Sequence, residues 1–351
     1  MLSFVYQMLP SRVIFGAGCL EKLPEEIERL GASKALVLST PEQRQSGIDL
    51  VNRLGARAVG LFDRAVMHVP IETAEAAREE AKRLGADCCV AIGGGSTTGL
   101  AKAIALVSEL PILAVPTTYA GSEMTPIWGL TEKGRKTTGR DARVLPKTVL
   151  YDPCLTATMP PMLSATSGMN SIAHCVEALY AQEANPIISM IAEDGVRALA
   201  ESLPVVVKDP GNLEARGRAL YGAWLGGIAL GSVGMALHHK LCHTLGGTYN
   251  LPHAETHTVV LPHAAAYNEP SAPEAMERVA RALGAESAAD GLYDLAAALG
   301  APLSLAAIGM KPADLDQAAA IAVQNPYYNP RPITREGIRV LLGNAFEGRR
   351  P

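Results

Sequence analysis

The 351-residue sequence predicts an α/β N-terminal domain built on a parallel sheet, followed by an all-helical C-terminal domain. Three observations predict it. Up to about Asp152, short runs rich in Val, Ile and Leu alternate with longer amphipathic segments. That alternation is the pattern of strands whose crossover helices cover both faces of a parallel sheet. Beyond Asp152 the apolar period is helical, with Ala and Leu dominant and Gly or Pro at the breaks. Between the two styles lies "DPCLTATMPP", whose paired prolines make a stiff connection, so the domains are expected at 1–155 and 156–351.

Five runs read as strands: "KALVLST" (34–40), "RAVGLF" (57–62), "DCCVAIGG" (87–94), "PILAVPTT" (111–118) and "KTVLYD" (147–152). Between them "GIDLVNRLG", "IETAEAAREEAKRLG" and "TTGLAKAIALVSEL" carry a helical period. In the second half the helical segments include "SATSGMNSIAHCVEALYA", "PIISMIAEDGVRALAESLPVVV", "NLEARGRALYGAWLGGIALG", "PEAMERVARALG" and "DGLYDLAAALG".

Composition narrows the function classes. Net charge is −4 and the pI is near 6.1, with Lys and Arg scattered rather than massed, which argues against a nucleic-acid partner. No apolar run reaches the roughly 18 residues that a bilayer span needs. The opening "MLSFVYQMLPSRVIFG" lacks a basic start and a small-residue cleavage site, so a cytoplasmic enzyme without a membrane partner is expected. Six cysteines show no CxxC spacing. Cys175 and Cys242 each adjoin a histidine, but helix neighbours point about 100° apart, so both read as core thiols.

Chemistry first shows at a strand end. Gly93, Gly94 and Gly95 follow "DCCVAI", with Ser96 and Thr97 at the start of the next helix. Such a turn is either a capped tight turn or a phosphate cradle. In a cradle, glycine lets the backbone approach a ligand while free N–H groups and the helix dipole attract anionic oxygens. Three consecutive glycines favour the cradle. A second polar strand end, "VPTTYAGSE", brings Thr117, Thr118, Gly121 and Ser122, and adjacent strand ends of a parallel sheet are where nucleotides bind.

Histidines cluster in the second half. Of eight, seven lie between His174 and His263. His239 and His243 are four apart on a predicted helix and share a face, and His253 follows a Gly-Gly turn. Asn170 and His174 are also four apart on an earlier helix. Alone, His174 reads as a satisfied core residue; with His239, His243 and His253 it reads as part of a converging set. His238, His257 and His263 fall off the shared face and read as structural or surface residues, and His68 as a loop residue.

These motifs resemble the iron-containing alcohol dehydrogenase and dehydroquinate synthase-like superfamily over nearly the whole chain. The phosphate turn GGGS matches Gly93 to Ser96, and the family's second loop matches "PTTYAGSE" (116–123). The resemblance implies a Rossmann-like, dinucleotide-binding N-terminal domain and a dehydroquinate synthase-like fold. It also carries a metal set of Asp and His four apart, the first histidine of HxxxHxLGG, and a later Pro-His. Those positions fall here on Asn170, His174, His239 and His253. Two aspartates of the pattern are replaced, by Asn170 and by Gly99. Together with "VPTTYAGSEMTPIWGLTEKGRKTTGR" and "NPYYNPRPITREGIR", these replacements look like the maleylacetate reductase branch.

That resemblance implies NADH- or NADPH-dependent reduction of the carbon–carbon double bond of maleylacetate to 3-oxoadipate, in the catabolism of aromatic compounds. The alternative is a metal-dependent alcohol or aldehyde dehydrogenase of the same superfamily. On the first reading Asn170, His174, His239 and His253 form a polar pocket that needs no metal, with His243 or His253 as proton donor. If a metal is bound, its ligands are His174, His239 and His253. Lys240, Tyr249 and Arg331 are the candidates for holding a small dicarboxylate, with Arg335 and Tyr328 behind them. After the first predicted strand, Ser39 stands where a ribose-binding acid would select NADH, and Arg44 is available to NADPH, so both cofactors are expected. Family members look dimeric, which implies a homodimer.

Overall fold

The computed structural model describes residues 4–133, 135–324 and 327–351. Gly134, Asn325 and Pro326, which fall within quoted motifs, lie outside the described residues, as do the first three residues of the opening segment. Contacts divide the chain into two units, Met8–Thr158 and Met159–Pro351, and residues 4–7 group with the second. The sequence reading places its division at 155/156 and counts residues 4–7 with the first domain.

The first unit runs β1 (Arg12–Phe15), α1 (Leu23–Arg29), β2 (Ala35–Leu38), α2 (Arg44–Leu54), β3 (Ala58–Phe62), α3 (Ile71–Leu84), β4 (Cys88–Gly93), α4 (Gly95–Ser108), β5 (Ile112–Pro116), β6 (Ile127–Glu132), β7 (Arg135–Arg140) and β8 (Thr148–Tyr151). Six strands form one sheet in the order β1-β8-β5-β4-β2-β3, every pair parallel. Alternate residues serve opposite cores. Val37, Val90 and Ile92 pack with Leu23, Ile27, Leu50 and Leu54 on the side of α1 and α2. Leu36, Leu38, Cys89 and Ala91 pack with Ala77, Ala81, Leu100 and Ile104 on the side of α3 and α4. Burial on both faces is why β2, β4, β5 and β8 appear as unbroken apolar runs.

The strands that sequence reading missed lack that burial. Only Ile14 of the edge strand β1 is buried. The antiparallel hairpin β6–β7 stands outside the main sheet with no buried residue in either strand. Without a buried face there is no apolar alternation to read.

The second unit contains α5 (Pro161–Leu179), α6 (Pro186–Lys208), α7 (Leu213–Ser232), α8 (Leu237–Tyr249), α9 (His253–Asn268), α10 (Pro273–Leu283), α11 (Ala288–Ala298), α12 (Leu315–Ala322) and α13 (Arg335–Glu347), and no strand among the described residues. None of these helices alone is long and apolar enough to cross a membrane. Side-chain caps start four of them: Asn185 accepts from Ile187 and Ile188 N–H, Asn212 from Ala215 N–H, Ser287 from Asp290 N–H and Thr334 from Gly337 N–H.

Helix α5 is the axis of this unit, buried from Ser164 to Leu179. Small residues let its neighbours close on it. A Cβ at Gly226 of α7 would collide with the Ser171 hydroxyl and lie 2.9 Å from the Ser171 carbonyl oxygen, and one at Gly195 of α6 would lie 2.7 Å from Cys175 Sγ. At the entry to α5, the fully buried Arg216 donates to Ser164 Oγ at 2.8 Å and to the carbonyls of Met159 and Pro210 at 3.0 Å. A second core joins Leu241, Leu245, Val259 and Val260 to Leu315, Ile338 and Leu342, bringing α8, α9, α12 and α13 together.

The glycine contact makes a stability prediction. Gly226→Ala overpacks the α5–α7 crossing and is expected to cost about 1–3 kcal/mol, read from chemical denaturation. Gly247→Ala in α8, where a Cβ meets nothing within 4 Å, is expected to be neutral or stabilising. Equal effects at both positions would refute the packing account.

Candidate active site

Two constellations of chemistry-bearing residues are present, one in each unit. In the first, β4 ends at Gly93 and α4 begins at Gly95. Gly93 has φ +148°, and a Cβ there would strike the Thr97 hydroxyl and lie 2.7 Å from Gln43 Oε1. At Gly94 a Cβ would lie 2.9 Å from Thr118 Oγ1. The turn therefore requires glycine because neighbouring strand ends crowd it. Gln43 donates to Thr117 Oγ1 at 2.7 Å and Thr117 N–H to the Gly93 carbonyl at 3.0 Å, so the ends of β4 and β5 and the start of α2 are tied together.

Gly95 is exposed and Ser96 half-buried, and the first N–H groups of α4 have no intrahelical partner. Backbone donors at a positive helix end, with no side chain in front, suit a diphosphate. Thr97 and Ser39 are buried, and their hydroxyls have no partner among the described residues. Ser122 sits differently from the sequence expectation: its carbonyl and hydroxyl both accept from Lys102 Nζ, at 2.6 and 3.2 Å. Arg44 is paired with Asp63 at 2.9 Å near the surface. His68 is exposed, its backbone in the left-handed region, and its carbonyl accepts from Thr131 Oγ1 at 2.8 Å.

In the helical unit the histidines converge more widely than the sequence reading supposes. The rings of His174 on α5 and His239 on α8 stack 5.1 Å apart. His239 also lies 6.2 Å from His243 and 4.9 Å from His257, centroid to centroid, and His253 lies 4.4 Å from His257. His257 and His238, read from sequence as structural or surface residues, are fully buried members of the cluster, joined through His238 Nε2 and His257 Nδ1 at 3.0 Å. Helix α9 explains the error: His253 and His257 are one turn apart on it, so whatever gathers the first also gathers the second. His263 is also buried, and desolvation lowers its pKa to about 4.

Burial, then the repulsion of neighbouring imidazoles, holds His174, His238 and His257 well below the ordinary histidine pKa, hence neutral near pH 7. His243 and His253 differ: both are exposed. They are the members of the cluster that exchange protons with solvent directly. Asn170, one turn before His174, is buried, and its Oδ1 has no partner among the described residues.

Sequence reading missed Glu177. It is fully buried on α5, one turn beyond His174. Its Oε2 accepts from His239 Nδ1 at 2.6 Å and from Ala236 N–H at 3.0 Å, and its Oε1 from His238 N–H at 2.7 Å. The start of α8 has no side-chain cap of its own, so Glu177 supplies one from another helix. An ionised carboxylate only accepts, so the shared proton belongs on Nδ1 and a neutral His239 presents a lone pair at Nε2. That Nε2 is buried without a partner among the described residues. The sequence signal was a carboxylate three residues after His174 on a helix otherwise without charge from Ser164 to Leu179.

This donor set also fits a divalent transition metal, the group that the family pattern implies. Asn170 Oδ1, His174 Nδ1, His239 Nε2 and His257 Nε2 are buried atoms without a partner among the described residues, and a carboxylate on the far nitrogen of a histidine is the usual outer support of a metal ligand. His238, His239 and His257 lie close enough to form a three-nitrogen group, although His238 Nε2 is already engaged with His257.

Of the proposed carboxylate binders, Arg331 donates to the Tyr267 carbonyl at 2.9 Å and lies over the Tyr267 ring, and Tyr249 donates to the Asp314 carbonyl at 3.3 Å. Both have internal structural roles. Lys240 lies 5.5 Å from the Tyr327 ring centroid, held by a cation–π contact rather than a carboxylate. Tyr328 and Arg335 are exposed.

Known proteins match both halves. A sequence model of "Iron-containing alcohol dehydrogenase" matches residues 10–153, and one of "Fe-containing alcohol dehydrogenase family, C-terminal" matches residues 164–346. Maleylacetate reductase of Sphingobium indicum is 61% identical over 350 residues, covering 100% of this chain and 99% of its own. That of Burkholderia cepacia is 60% identical over 351 residues, covering both chains completely. The crystal structure of maleylacetate reductase from Rhizobium sp. strain MTP-10005 superposes with a TM-score of 0.97 at 54% identity, covering 100% of each chain. Full-length identity at this level, on the same parallel sheet and helical unit, places the chain in the iron-containing alcohol dehydrogenase family, within its maleylacetate reductase branch.

Proposed function

We propose that this protein reduces the carbon–carbon double bond of maleylacetate with NADH or NADPH and one proton, giving 3-oxoadipate and the oxidised nicotinamide. The observation that carries the reading is the end-to-end identity of 60–61% with two maleylacetate reductases. Bound reduced nicotinamide supplies a hydride, which the alkene carbon β to the ketone accepts. Charge then collects on the ketone oxygen as an enolate, and the carbon next to the ketone takes a proton.

The chain's residues answer each need. Gly93 to Thr97 offer backbone donors to the diphosphate, and Gly94 must lack a Cβ for the turn to close against Thr118. Asn170, His174 and His239 form the polar surface for the enolate oxygen, which preorganised donors stabilise. Glu177 orients His239, and when Nε2 takes a proton the carboxylate offsets the imidazolium charge, making Nε2 a donor. His243 or His253, both open to solvent, delivers the proton to carbon and recovers it.

The amide at position 170 is consistent with this chemistry, because the developing charge needs hydrogen-bond donors rather than a cation held by an anionic ligand. A second reading keeps a metal. The buried Asn170, His174 and His239 donors, which have no partner among the described residues, favour it; together with His253 they would hold the ion, which would act as a Lewis acid on a carbonyl oxygen. Cofactor choice follows from the end of β2: Ser39 carries no charge to repel a 2′-phosphate, and Arg44, now on Asp63, is positioned on α2 to take one. Use of both cofactors is the reading that this favours.

Three measurements test the proposal. Incubation with NADH and maleylacetate should consume the two in equal amounts and yield 3-oxoadipate; oxidation of simple alcohols with maleylacetate untouched would overturn the assignment. Metal analysis of the purified protein with turnover before and after chelation should find activity retained without stoichiometric metal. Stoichiometric metal whose removal abolishes turnover would establish the second reading. Glu177→Gln should lower kcat by about 10–100-fold while leaving the KM for NADH near wild type. An unchanged kcat would remove Glu177 from the mechanism.

A further inference from the structure

Helix α4, which opens at the glycine turn, carries Lys102 about two turns further on with no solvent exposure. Its neighbours in sequence, Leu100, Ala101, Ala103 and Ile104, belong to the apolar core. An ammonium buried there is costly unless every N–H finds an acceptor. Four acceptors converge on Nζ: the Ser122 carbonyl at 2.6 Å, the Ile127 carbonyl at 2.8 Å, Thr125 Oγ1 at 3.0 Å and Ser122 Oγ at 3.2 Å. All belong to one stretch, 122–127, which continues directly from the polar strand end Thr117–Gly121. Thr125 closes the stretch on itself, donating to the Ser122 carbonyl at 3.1 Å and accepting from Ile127 N–H at 3.3 Å. Glu123, buried in the same turn, accepts from Tyr151 OH at 2.8 Å at the end of β8.

We propose that Lys102 is a positioning residue for dinucleotide binding: its ammonium clamps residues 122–127 onto α4 and thereby sets the polar loop 117–122 against the glycine turn. The inference rests on the reading of Gly93 to Thr97 as the diphosphate site. It adds a residue that touches neither cofactor nor substrate.

The test uses the full-length enzyme and NADH. Lys102→Met, close in shape and uncharged, should raise the Kd and KM for NADH by about tenfold or more, with kcat at saturating NADH and the KM for maleylacetate within about threefold of wild type. Thr125→Val, which removes one acceptor and keeps the volume, should shift the same NADH parameters by a smaller factor. A Lys102→Met enzyme that binds NADH like wild type would overturn the proposal, as would parallel losses in kcat and both KM values. Should Lys102→Met fail to fold, an unchanged NADH Kd in Thr125→Val overturns it. Hydrogen exchange of the wild type with and without NADH separates the underlying reading. Absence of protection over 93–98 would remove the diphosphate site itself. Protection there, with unaltered NADH affinity in Lys102→Met, would remove only the role of Lys102.

Discussion

The helical unit depends on one buried carboxylate. Glu177 stands where α5 meets the first turn of α8, and its two oxygens gather three backbone N–H groups and the Nδ1–H of His239. Each of those donors, left alone in this buried place, would cost about 1–3 kcal/mol. A single acceptor thus resolves the uncapped start of a helix and the orientation of an imidazole at once. Because α5 also carries Asn170 and His174, the register of α5 against α8 fixes how three polar groups face one another. Arg216 secures the opposite end of α5 through Ser164 and Met159, so the helix is pinned at both ends by buried charged groups and along its length by glycine contacts.

The two units solve the problem of presenting polarity in different ways. In the sheet unit the binding surface is backbone: glycine removes side chains from the turn after β4, and what remains is a row of N–H groups on a helix end. In the helical unit it is side chain, six imidazoles drawn from three helices, with burial suppressing the charge of His174, His238 and His257. Neutral imidazoles crowded together are good donors of lone pairs and of single N–H bonds. A carboxylate behind one of them, as Glu177 stands behind His239, fixes its tautomer and aims its other nitrogen.

Much of this was legible in residue order. Strands buried on both faces announce themselves as apolar runs, and β2, β4, β5 and β8 were readable for that reason; β3, half-buried at the sheet edge, was readable from its apolar composition. The glycine turn was equally plain, because a backbone that must come close to another chain segment leaves no alternative to glycine. The edge strand β1 and the hairpin β6–β7 carried no such mark, since exposed strands obey no apolar pattern. Among site residues, His174, His239, His243 and His253 were drawn from spacing and family pattern, whereas His238 and His257 were set aside because helical spacing describes one face of one helix. It says nothing of a neighbouring helix that approaches another face.

By itself the sequence determined the classes of element, the glycine turn and the presence of a histidine-rich helical half, since these follow from periodicity and from steric limits on single residues. Tertiary structure alone decided that Glu177 caps α8 and orients His239, that Arg331 and Tyr249 have internal partners, and that Lys102 is spent on residues 122–127. Each of these is a pairing between a polar side chain and a partner at least 20 residues away. The identity of such a partner depends on which helices meet and in what register, and hydrogen bonds of that kind leave no period in the chain.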